Sequence, residues 1–327
     1  MRKPDIKKSL LAFAAAGALL ISGCSEAEEP VGGQEKTVNT GDLKTGSQEE
    51  SAIVFTDDLD REVSLEKRPE RVTALIGSFA DIWVDAGGKD SLVAAADDTW
   101  TSFDLDLPDT VVSTGGIKNP NMEIILEAQP DFVLASAKNE SQKKLVSQFE
   151  AAGIPVAYFD VADFDEYLQM LEILTKLTGD EEAYAENGTR QEKGIEAVIA
   201  KKPAAGKKVL VLRAAGSKVK TLKSEGSVLG EMLADLGAEN IADGDSDLDM
   251  LSMEAILEAD PDEIFIVYQG KAQTDNQTMK ELLESEAWQS LRAVQEDLVH
   301  VMDPHLYNLK PNARWEEAYE GLATYFD

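Results

Sequence analysis

The sequence predicts an α/β fold made of two lobes of similar design, joined by one long helix. Short apolar runs alternate with amphipathic stretches along most of the chain, a pattern typical of βαβ units and parallel sheets. A short segment occurs twice, as MEIILEAQPD at 122–131 and as MEAILEADPD at 253–262. Between the two copies lies a stretch rich in Glu, Ala and Lys, which favours a helix.

The start of the chain has the pattern of a secretory leader. Basic residues precede the apolar run at 9–21, which is too short for a stable membrane span. Cys24 is the only cysteine, and it follows the small pair Ser22-Gly23. We therefore expect a signal peptide at 1–23 and a diacylglyceryl lipid on Cys24. An incidental core cysteine in an uncleaved leader is the alternative.

The segment after Cys24 is expected to be a flexible tether. Residues 24–52 are polar and rich in Gly, Ser and Glu, so they cannot bury enough apolar surface to fold. The rest of the chain is long enough for two domains. We therefore expect a lipid-anchored tether at 24–52 and a globular body beyond it.

The first lobe is expected at 53–178. In residues 71–98 an apolar run leads through a Gly-Ser turn into an amphipathic stretch that ends at Gly87-Gly88, and a second apolar run follows. After the first copy of the repeat come the apolar runs FVLAS at 132–136 and IPVAYFDV at 154–161. These alternations predict a parallel sheet with helices on both faces.

A single helix at 179–203 is expected to join the lobes. The stretch from Asp180 to Lys201 contains no proline, and Pro203 follows it. A helix of that length reaches roughly 30 Å, with Gly188 and Gly194 as weak points. Such a strut resists bending, so we expect the lobes to close only modestly around a ligand.

The second lobe is expected at 204–327, with the same order of elements as the first. In residues 207–243 an apolar run, a turn-rich insertion and an amphipathic stretch ending at Gly237 precede another short apolar run. The second copy of the repeat is followed by the apolar run EIFIV at 263–267. Both lobes therefore have similar predicted sheets.

Charge and motifs exclude several functional classes. The chain has 62 acidic and 31 basic residues, a net charge of −31, and would be repelled by nucleic acid and by anionic membranes. It contains no Gly-x-Ser-x-Gly elbow, phosphate loop or His-Glu-x-x-His motif. We therefore expect a protein that is not an enzyme and has no resident cofactor.

Several segments, in order along the chain, carry a family resemblance. They are the lipobox ISGC and the segments VFTDDLDREVSLEKRPERVTALIGSFADI, NPNMEIILEAQPDFVLAS, GAENIAD, LSMEAILEADPDEIFIV and LKPNARWEEAY. Together they resemble the periplasmic-binding-protein family for iron-siderophore, haem and cobalamin uptake. The resemblance implies two Rossmann-like lobes with parallel sheets joined by one long α-helix, with a metal chelate held in the cleft between them.

The resemblance also implies partners and a location. Members of this family deliver their ligand to the permease subunits of an ABC importer that carries a cytoplasmic ATPase. We expect a monomer, lipid-anchored outside the bacterial cell membrane, that binds a ferric siderophore, with a corrinoid second and haem third. A tethered adhesin or scaffold without a small ligand is the alternative from another class.

The ligand site is expected where the carboxyl ends of the strands meet, since open parallel sheets bind ligands there. The segments just past the predicted strands are 77–79, 98–100, 136–139, 213–216 and 268–269. We therefore expect ligand contacts from the residues Ser78, Trp100, Arg213, Tyr268, His305, Tyr307 and Arg314.

These residue types suit a metal chelate, and each has an alternative role. Trp100 can stack on a planar ligand, or can be a packing residue. Arg213, with lysines at 218, 220 and 223, can attract an anion, or can belong to a solvated hairpin. His305 or Tyr307 could be an axial ligand of haem, whereas Tyr307 and Arg314 could instead fix the loop before the last helix.

Direct metal binding is disfavoured. The chain has two histidines, and His300 lies in the apolar run LVHVM as an expected sheet residue. Acidic residues at 243, 245, 247, 249 and 254 match a calcium loop, but Leu248 replaces the glycine that its sharp turn needs. An acidic surface loop is therefore the preferred interpretation of Asp243–Glu254.

The repeat itself predicts two similar helices. Asn121 and Ser252 are suited to cap their starts, and Glu123 and Glu254 follow in the first turn. Either glutamate can simply stabilise the helix dipole. The resemblance implies more, because in this family one glutamate on each lobe docks into arginines of the importer's membrane subunits.

Overall fold

The computed structural model describes residues 52–103, 105–244, 252–269 and 277–327. These ranges belong to one compact unit that runs from Glu49 to Asp327. The expected signal peptide, the lipidated Cys24 and nearly all of the tether lie outside the described residues, as does most of the acidic segment 243–254. None of the helices in these ranges is long and apolar enough to cross a membrane.

The first lobe is built on a parallel sheet of five strands in the order β5-β4-β3-β8-β9. An antiparallel hairpin, β1–β2, precedes this sheet, and a shorter hairpin, β6–β7, follows β5. The strands are β1 (Ile53–Thr56), β2 (Glu62–Leu65), β3 (Val72–Ala74), β4 (Leu92–Ala95), β5 (Val112–Ser113), β6 (Gly115–Gly116), β7 (Asn119–Pro120), β8 (Phe132–Ser136) and β9 (Val156–Phe159).

Helices cover this sheet, and their apolar faces pack against its buried strands. In β8 and β9 every residue is buried, as expected for strands covered on both faces. The helices are α1 (Gly77–Asp85), α2 (Asp98–Ser102), α3 (Met122–Glu127), α4 (Glu140–Lys143), α5 (Val146–Ala152) and α6 (Phe164–Thr178). In α6 the Asp163 side chain accepts a hydrogen bond from the Glu166 amide at the start, and left-handed Gly179 ends the helix.

The link between the lobes is helical but not one regular α-helix. Helix α7 (Glu181–Tyr184) leads into a π-helical turn at Ala185–Thr189 and then into α8 (Arg190–Ile199). Gly188 lies in this turn, where an added Cβ would lie 3.2 Å from Leu168 of α6. The expected linking helix is therefore continuous from Glu181 to Ile199, with one wider turn where Gly188 packs closely against α6.

The second lobe also has the expected parallel sheet, with one antiparallel strand added at its edge. Strands β10, β13 and β14 run parallel, and β12 is parallel to β10, but β11 forms an antiparallel hairpin with β10. The strands are β10 (Lys208–Ala215), β11 (Lys218–Thr221), β12 (Glu239–Asn240), β13 (Glu263–Gln269) and β14 (Val299–Met302).

Helices pack on both faces of this sheet as well. They are α9 (Val228–Asp235), α10 (Met253–Ala259), α11 (Gln277–Glu284), α12 (Glu286–Gln289), α13 (Arg292–Gln295), α14 (Pro304–Tyr307) and α15 (Trp315–Ala323). Short 3₁₀ turns occupy Lys89–Ser91, Ile241–Asp243, Asn312–Arg314 and Thr324–Phe326.

A continuous apolar core connects the two lobes through the linking helices. It includes residues of both sheets together with buried side chains of α6, α8 and α15. Trp315 of α15 is fully buried, with its ring 5.9 Å from that of Phe164 and 6.3 Å from that of Tyr167. Because these rings belong to different lobes, the last helix fixes the second lobe against the first.

Candidate functional site

The segment after β14 brings the second lobe to the carboxyl edge of the first sheet. Asn312 is fully buried, and its side-chain amide donates hydrogen bonds to the Ser78 carbonyl at 3.1 Å and to Asp81 Oδ2 at 2.6 Å. Its φ of +53° is uncommon for a residue other than glycine. The two lobes therefore meet directly at the start of α1, where a ligand edge was expected.

Lys310 is the most distinctive charge at this edge. Its ammonium lies 5.7 Å from the ring centroid of Phe79, and it has no hydrogen bond or ion pair within the described ranges. Burial lowers the pKa of Lys310, although the fields of Asp160, Asp98 and Glu166 act in the opposite direction. A half-buried cation without a direct partner is suited to receive an anionic ligand.

The carboxylates near Lys310 are held by the first lobe. Asp98 begins α2, and its Oδ2 accepts a hydrogen bond from the Gly77 amide at 2.9 Å. Burial raises the pKa of Asp98 and also that of Glu166, which accepts a hydrogen bond from the Ala162 amide. Only glycine fits at position 77, because a Cβ there would lie 2.8 Å from both Asp98 Oδ2 and the Thr99 amide nitrogen.

A lysine-lined cavity opens beside this edge. It has a volume of about 500 Å³ and lies between the β6–β7 hairpin, the end of β8 and the start of α4. Its lining residues are Ile117, Lys118, Ser136, Lys138, Asn139, Glu140, Ser141 and Lys144. Three ammonium groups around one cavity are unusual for a chain whose net charge is −31, and they favour a polyanionic ligand.

Lys138 links the cavity to the facing lobes. Its ammonium lies 2.9 Å from Asp160 Oδ2, and this hydrogen bond raises the pKa of Lys138. Glu225 of the second lobe contributes a smaller effect in the same direction. Charges of both lobes therefore act on Lys138, and two of them, Asp160 and Glu166, also act on Lys310.

Trp100 remains a predicted ligand contact. It lies on α2, two residues after Asp98, and is 45% exposed, which is unusual for so large an apolar side chain. Its ring is available for stacking on a planar or aromatic ligand. Its position next to the Asp98 turn places it at the edge that Lys310 approaches.

Three other predicted contacts have buried side chains and stay predictions. Ser78 is 3% exposed, and its carbonyl is occupied by Asn312. Tyr268 packs into the core of the second lobe with Ile266 and Met279 as core neighbours, on the sheet face opposite Arg213. The Tyr307 hydroxyl donates a hydrogen bond to the Ala318 carbonyl at 3.0 Å, which ties α14 to the last helix.

The other three predicted contacts remain predictions. Arg213 lies in β10 opposite Lys220 of β11 and has no hydrogen bond or ion pair within the described part of the chain. His305 is partly exposed, and its Nδ1 lies 3.1 Å from Asp303 Oδ1. Arg314 makes a bidentate ion pair with Glu317, with both distances 2.7 Å.

Sequence reasoning missed the lysines. Lys310 lies within the segment LKPNARWEEAY, which carried the family resemblance, and Lys138 lies in one of the segments past a predicted strand. A lysine directly before Pro311 in the loop after the last strand was an available signal. Lys118 and Lys144 had none, because only the folded chain brings the β6–β7 hairpin beside α4.

Two aspartates at the junction of the lobes have perturbed acidity. Asp81 and Asp85 lie one turn apart on α1, facing the Asn312–Arg314 turn. Burial raises the pKa of Asp81 and raises that of Asp85 to about 7, with the charge of Asp81 as a second cause. Asp85 Oδ2 is buried and has no hydrogen-bond partner. The pair therefore loses its last proton at a higher pH than an isolated aspartate would.

The repeat forms a second candidate surface. Asn121 accepts hydrogen bonds from the Glu123 and Ile124 amides, and Ser252 accepts one from the Ala255 amide, so both predicted caps are confirmed. Glu123 and Glu254 are exposed in the first turns of α3 and α10. Their role in docking remains a prediction.

The two histidines and the calcium-like segment are the residues that bear on direct metal binding. No group of three or more His, Cys, Asp or Glu side chains there could hold an ion. His300 Nε2 lies 3.0 Å from Oε2 of the buried Glu263, as expected for a sheet histidine with a partner. Of the calcium-like residues, Asp243 accepts a hydrogen bond from the Ser224 amide, and those at 245, 247 and 249 lie outside the described residues.

Comparisons with known proteins agree on the family. A family model described as "Periplasmic binding protein" matches residues 72–306. The iron-uptake system-binding protein of Bacillus subtilis is 29% identical over 208 residues, which cover 61% of this chain and 64% of that relative. The Fe(3+)-citrate-binding protein YfmC of Bacillus subtilis is 25% identical over 290 residues, which cover 87% of this chain and 85% of that relative.

A solved structure agrees on the fold. The crystal structure of the iron uptake ABC transporter substrate-binding protein PiuA from Streptococcus pneumoniae superposes with a TM-score of 0.66 at 22% identity. The match covers 84% of this chain and 96% of that one. The pair of α/β lobes joined by helices is therefore a known arrangement.

Proposed function

Because the chain belongs to the periplasmic binding protein family, we propose that it is the extracytoplasmic solute-binding receptor of an ABC importer. It captures a ferric siderophore between its lobes and delivers it to the permease, and it catalyses no reaction. The predicted leader and Cys24 anchor it by lipid to the outer face of the cell membrane as a monomer. The partner is a permease with a cytoplasmic ATPase.

The observation that carries this proposal is the position of Lys310. This half-buried ammonium reaches from the second lobe towards Phe79 of the first and is without a direct partner in the described ranges. An anionic chelate between the lobes would supply a direct partner for this ammonium, and Lys138 and the other cavity lysines would meet its periphery. The acidic surface of the chain repels an anionic chelate at long range, so these lysines act on the chelate only at short distance.

The names of the relatives favour iron as the metal. Two Bacillus relatives are named for iron uptake and for Fe(3+)-citrate binding. Ferric citrate and the ferric complexes of carboxylate or catecholate siderophores carry a net negative charge on oxygen donors, which suits ammonium partners. A corrinoid or haem is the alternative ligand, favoured by the exposed ring of Trp100.

A ligand screen by thermal unfolding tests the proposal. A ligand that binds only the folded state at a hundred times its Kd stabilises that state by about 2.7 kcal/mol. We expect ferric citrate or a ferric siderophore to raise the melting temperature, and the metal-free chelators to raise it less. If ferric chelates, haem and corrinoids all leave the melting temperature unchanged, the receptor function is contradicted.

The glutamates of the repeat are proposed to dock the receptor on the permease. Glu123 and Glu254 are exposed, one on each lobe, and suit basic residues of a membrane partner. The double variant Glu123→Lys with Glu254→Lys is expected to abolish uptake of the chelate and to leave its affinity for the receptor unchanged. A matched control replaces exposed Glu181 and Glu320 by lysine, which changes the net charge by the same amount.

A loss of chelate affinity in the Glu123/Glu254 variant would contradict the docking role, because it would place these residues in the ligand site. Equal loss of uptake in the control pair would also contradict it, because net charge alone would then explain the effect. The measurement is uptake of radioactive iron by cells that carry only the variant receptor.

A further inference from the structure

The two repeat helices present the same surface, and it includes a partly exposed leucine. Leu126 of α3 is 43% exposed and Leu257 of α10 is 41% exposed. They occupy the same place in the repeat, three residues after Glu123 and Glu254. Residue by residue, the sequence of exposed, half-buried and buried positions is identical from Asn121 to Pro130 and from Ser252 to Pro261.

The match extends to the hydrogen bonds that hold each helix. In the first lobe the Arg71 guanidinium donates to the Ala128 and Gln129 carbonyls at the end of α3. In the second lobe Lys208 donates to the Ala259 carbonyl at the end of α10. Each basic residue lies at the start of a central strand, so the two helices are fixed to their sheets in the same way.

The turns after the helices are also equivalent. Gln129 has a φ of +50° and Asp260 a φ of +44°, and a Pro-Asp pair follows each of them. Asp131 accepts a hydrogen bond from the Arg71 amide at 2.9 Å, and Asp262 accepts one from the Lys208 amide at 2.8 Å. The exposed side chains of the two repeats are therefore displayed on equivalent frameworks.

Helix periodicity places each leucine on the same helix face as an acidic residue. Residues three and four apart share a helix face, so Glu123 lies beside both Leu126 and Glu127, and Glu254 lies beside both Leu257 and Glu258. We define these two sets of three residues as the acidic-leucine stripes. One exposed leucine alone would need no explanation. Two exposed leucines at the same position, each one turn after an exposed glutamate, indicate a common requirement on both lobes.

We propose that the acidic-leucine stripes are one contact made twice, with each leucine entering an apolar socket with a basic rim on one of two copies of the importer's membrane subunit. This inference rests on the proposed function and assigns the apolar part of the docking contact to Leu126 and Leu257. Charge complementarity selects this occupant, because the glutamates that flank each leucine are repelled by an anionic lipid surface and attract a basic protein rim.

Cross-linking from each leucine position tests the identity of the partner. The full chain carries a photo-reactive phenylalanine analogue in place of Leu126, of Leu257 or, as a control, of Val301, which is 56% exposed on β14. After irradiation of the source cells, mass spectrometry identifies the cross-linked protein. We expect the same integral-membrane subunit from both leucine positions and none from Val301. Two different proteins, a second copy of this chain, or lipid would overturn the proposal.

Substitution measures the contribution of the leucines. Leu126→Ser and Leu257→Ser are each expected to lower iron uptake at limiting receptor by about 10-fold, since each removes a partly exposed leucine from burial in the complex. The two losses are expected to be similar, with chelate affinity unchanged.

If both variants retain full uptake while the Glu123/Glu254 reversal abolishes it, the leucine contact is overturned and the proposed function stands. If no chelate binds and the reversal has no effect, both fail.

Discussion

Replacement of Asp85 by asparagine is expected to stabilise the protein at alkaline pH. In the folded chain Asp85 lies at the junction of the lobes, where burial and the charge of Asp81 raise its pKa from 3.8 to about 7. A carboxyl group with a raised pKa favours folding while it is protonated. Its stabilising effect is lost as the pH rises from the unfolded pKa through the folded one. Above pH 7 the folded state therefore holds a desolvated charge, which asparagine avoids.

The size of this effect follows from the shift. A change of about 3 pKa units, at about 1.4 kcal/mol per unit, corresponds to an upper limit of about 4 kcal/mol. Asp81 shares the titration, and its own pKa is also raised, so part of this energy belongs to the pair. We therefore expect Asp85→Asn to exceed the wild type by about 2 kcal/mol at pH 8, with the difference vanishing as the pH approaches 4.

Urea unfolding from pH 4 to pH 8 measures this difference. The control is Asp90→Asn, which removes an exposed carboxylate from the next turn of the same lobe and is expected to change stability little at any pH. Subtracting wild type from variant at each pH cancels the titration of the many other acidic groups. The reasoning is refuted if Asp85→Asn gives no gain at pH 8, or a gain that does not depend on pH.

Three further variants test the ligand edge. Lys310→Met is expected to lower ferric-chelate affinity by at least about 10-fold without lowering the melting temperature, since burial already disfavours the charge of Lys310. The control is Lys193→Met, which removes an exposed lysine of α8, and equal losses of affinity in calorimetric titrations of both variants would contradict the assignment. Trp100→Ala should weaken binding of a planar or aromatic ligand by up to about 10-fold at unchanged melting temperature, and unaltered titration curves would remove Trp100 from the site. Gly77→Ala should destabilise the fold by about 2 kcal/mol and reduce chelate affinity, because the added Cβ collides with the backbone of α2. The control is Gly116→Ala, whose added Cβ would have no atom within 4 Å, and it should change neither stability nor affinity in the same unfolding and binding assays.

The local features of the fold were predictable where a residue type has one strong preference. The caps Asn121 and Ser252 form as expected, because these side chains satisfy the free amides of a first helical turn. The short apolar runs became buried strands, because no other element hides both of their faces. Lys218 and Lys220 belong to the antiparallel strand β11 and so lie in a hairpin, which was one of the two interpretations of these lysines.

Features that depend on contacts distant in sequence were not predictable. The π-helical turn near Gly188 accompanies packing against α6, which helix propensities do not report. Tyr268 was expected just past a strand but lies within β13, and Tyr307 was expected in a loop but ends α14. The burial of Ser78 and Tyr307 depends on partners that only the folded chain brings to them. Lys310 was missed because only the approach of the second lobe brings it near Phe79.

The central claim is that the chain carries a ferric chelate between its lobes, and native mass spectrometry tests it most directly. The full chain would be released from its source cells with mild detergent and weighed without denaturation. We expect one bound iron complex per chain in the wild type and a reduced occupancy in Lys310→Met. A chain that carries no metal complex, and that takes up none when ferric citrate, ferric siderophores, haem or corrinoids are added, would contradict the claim.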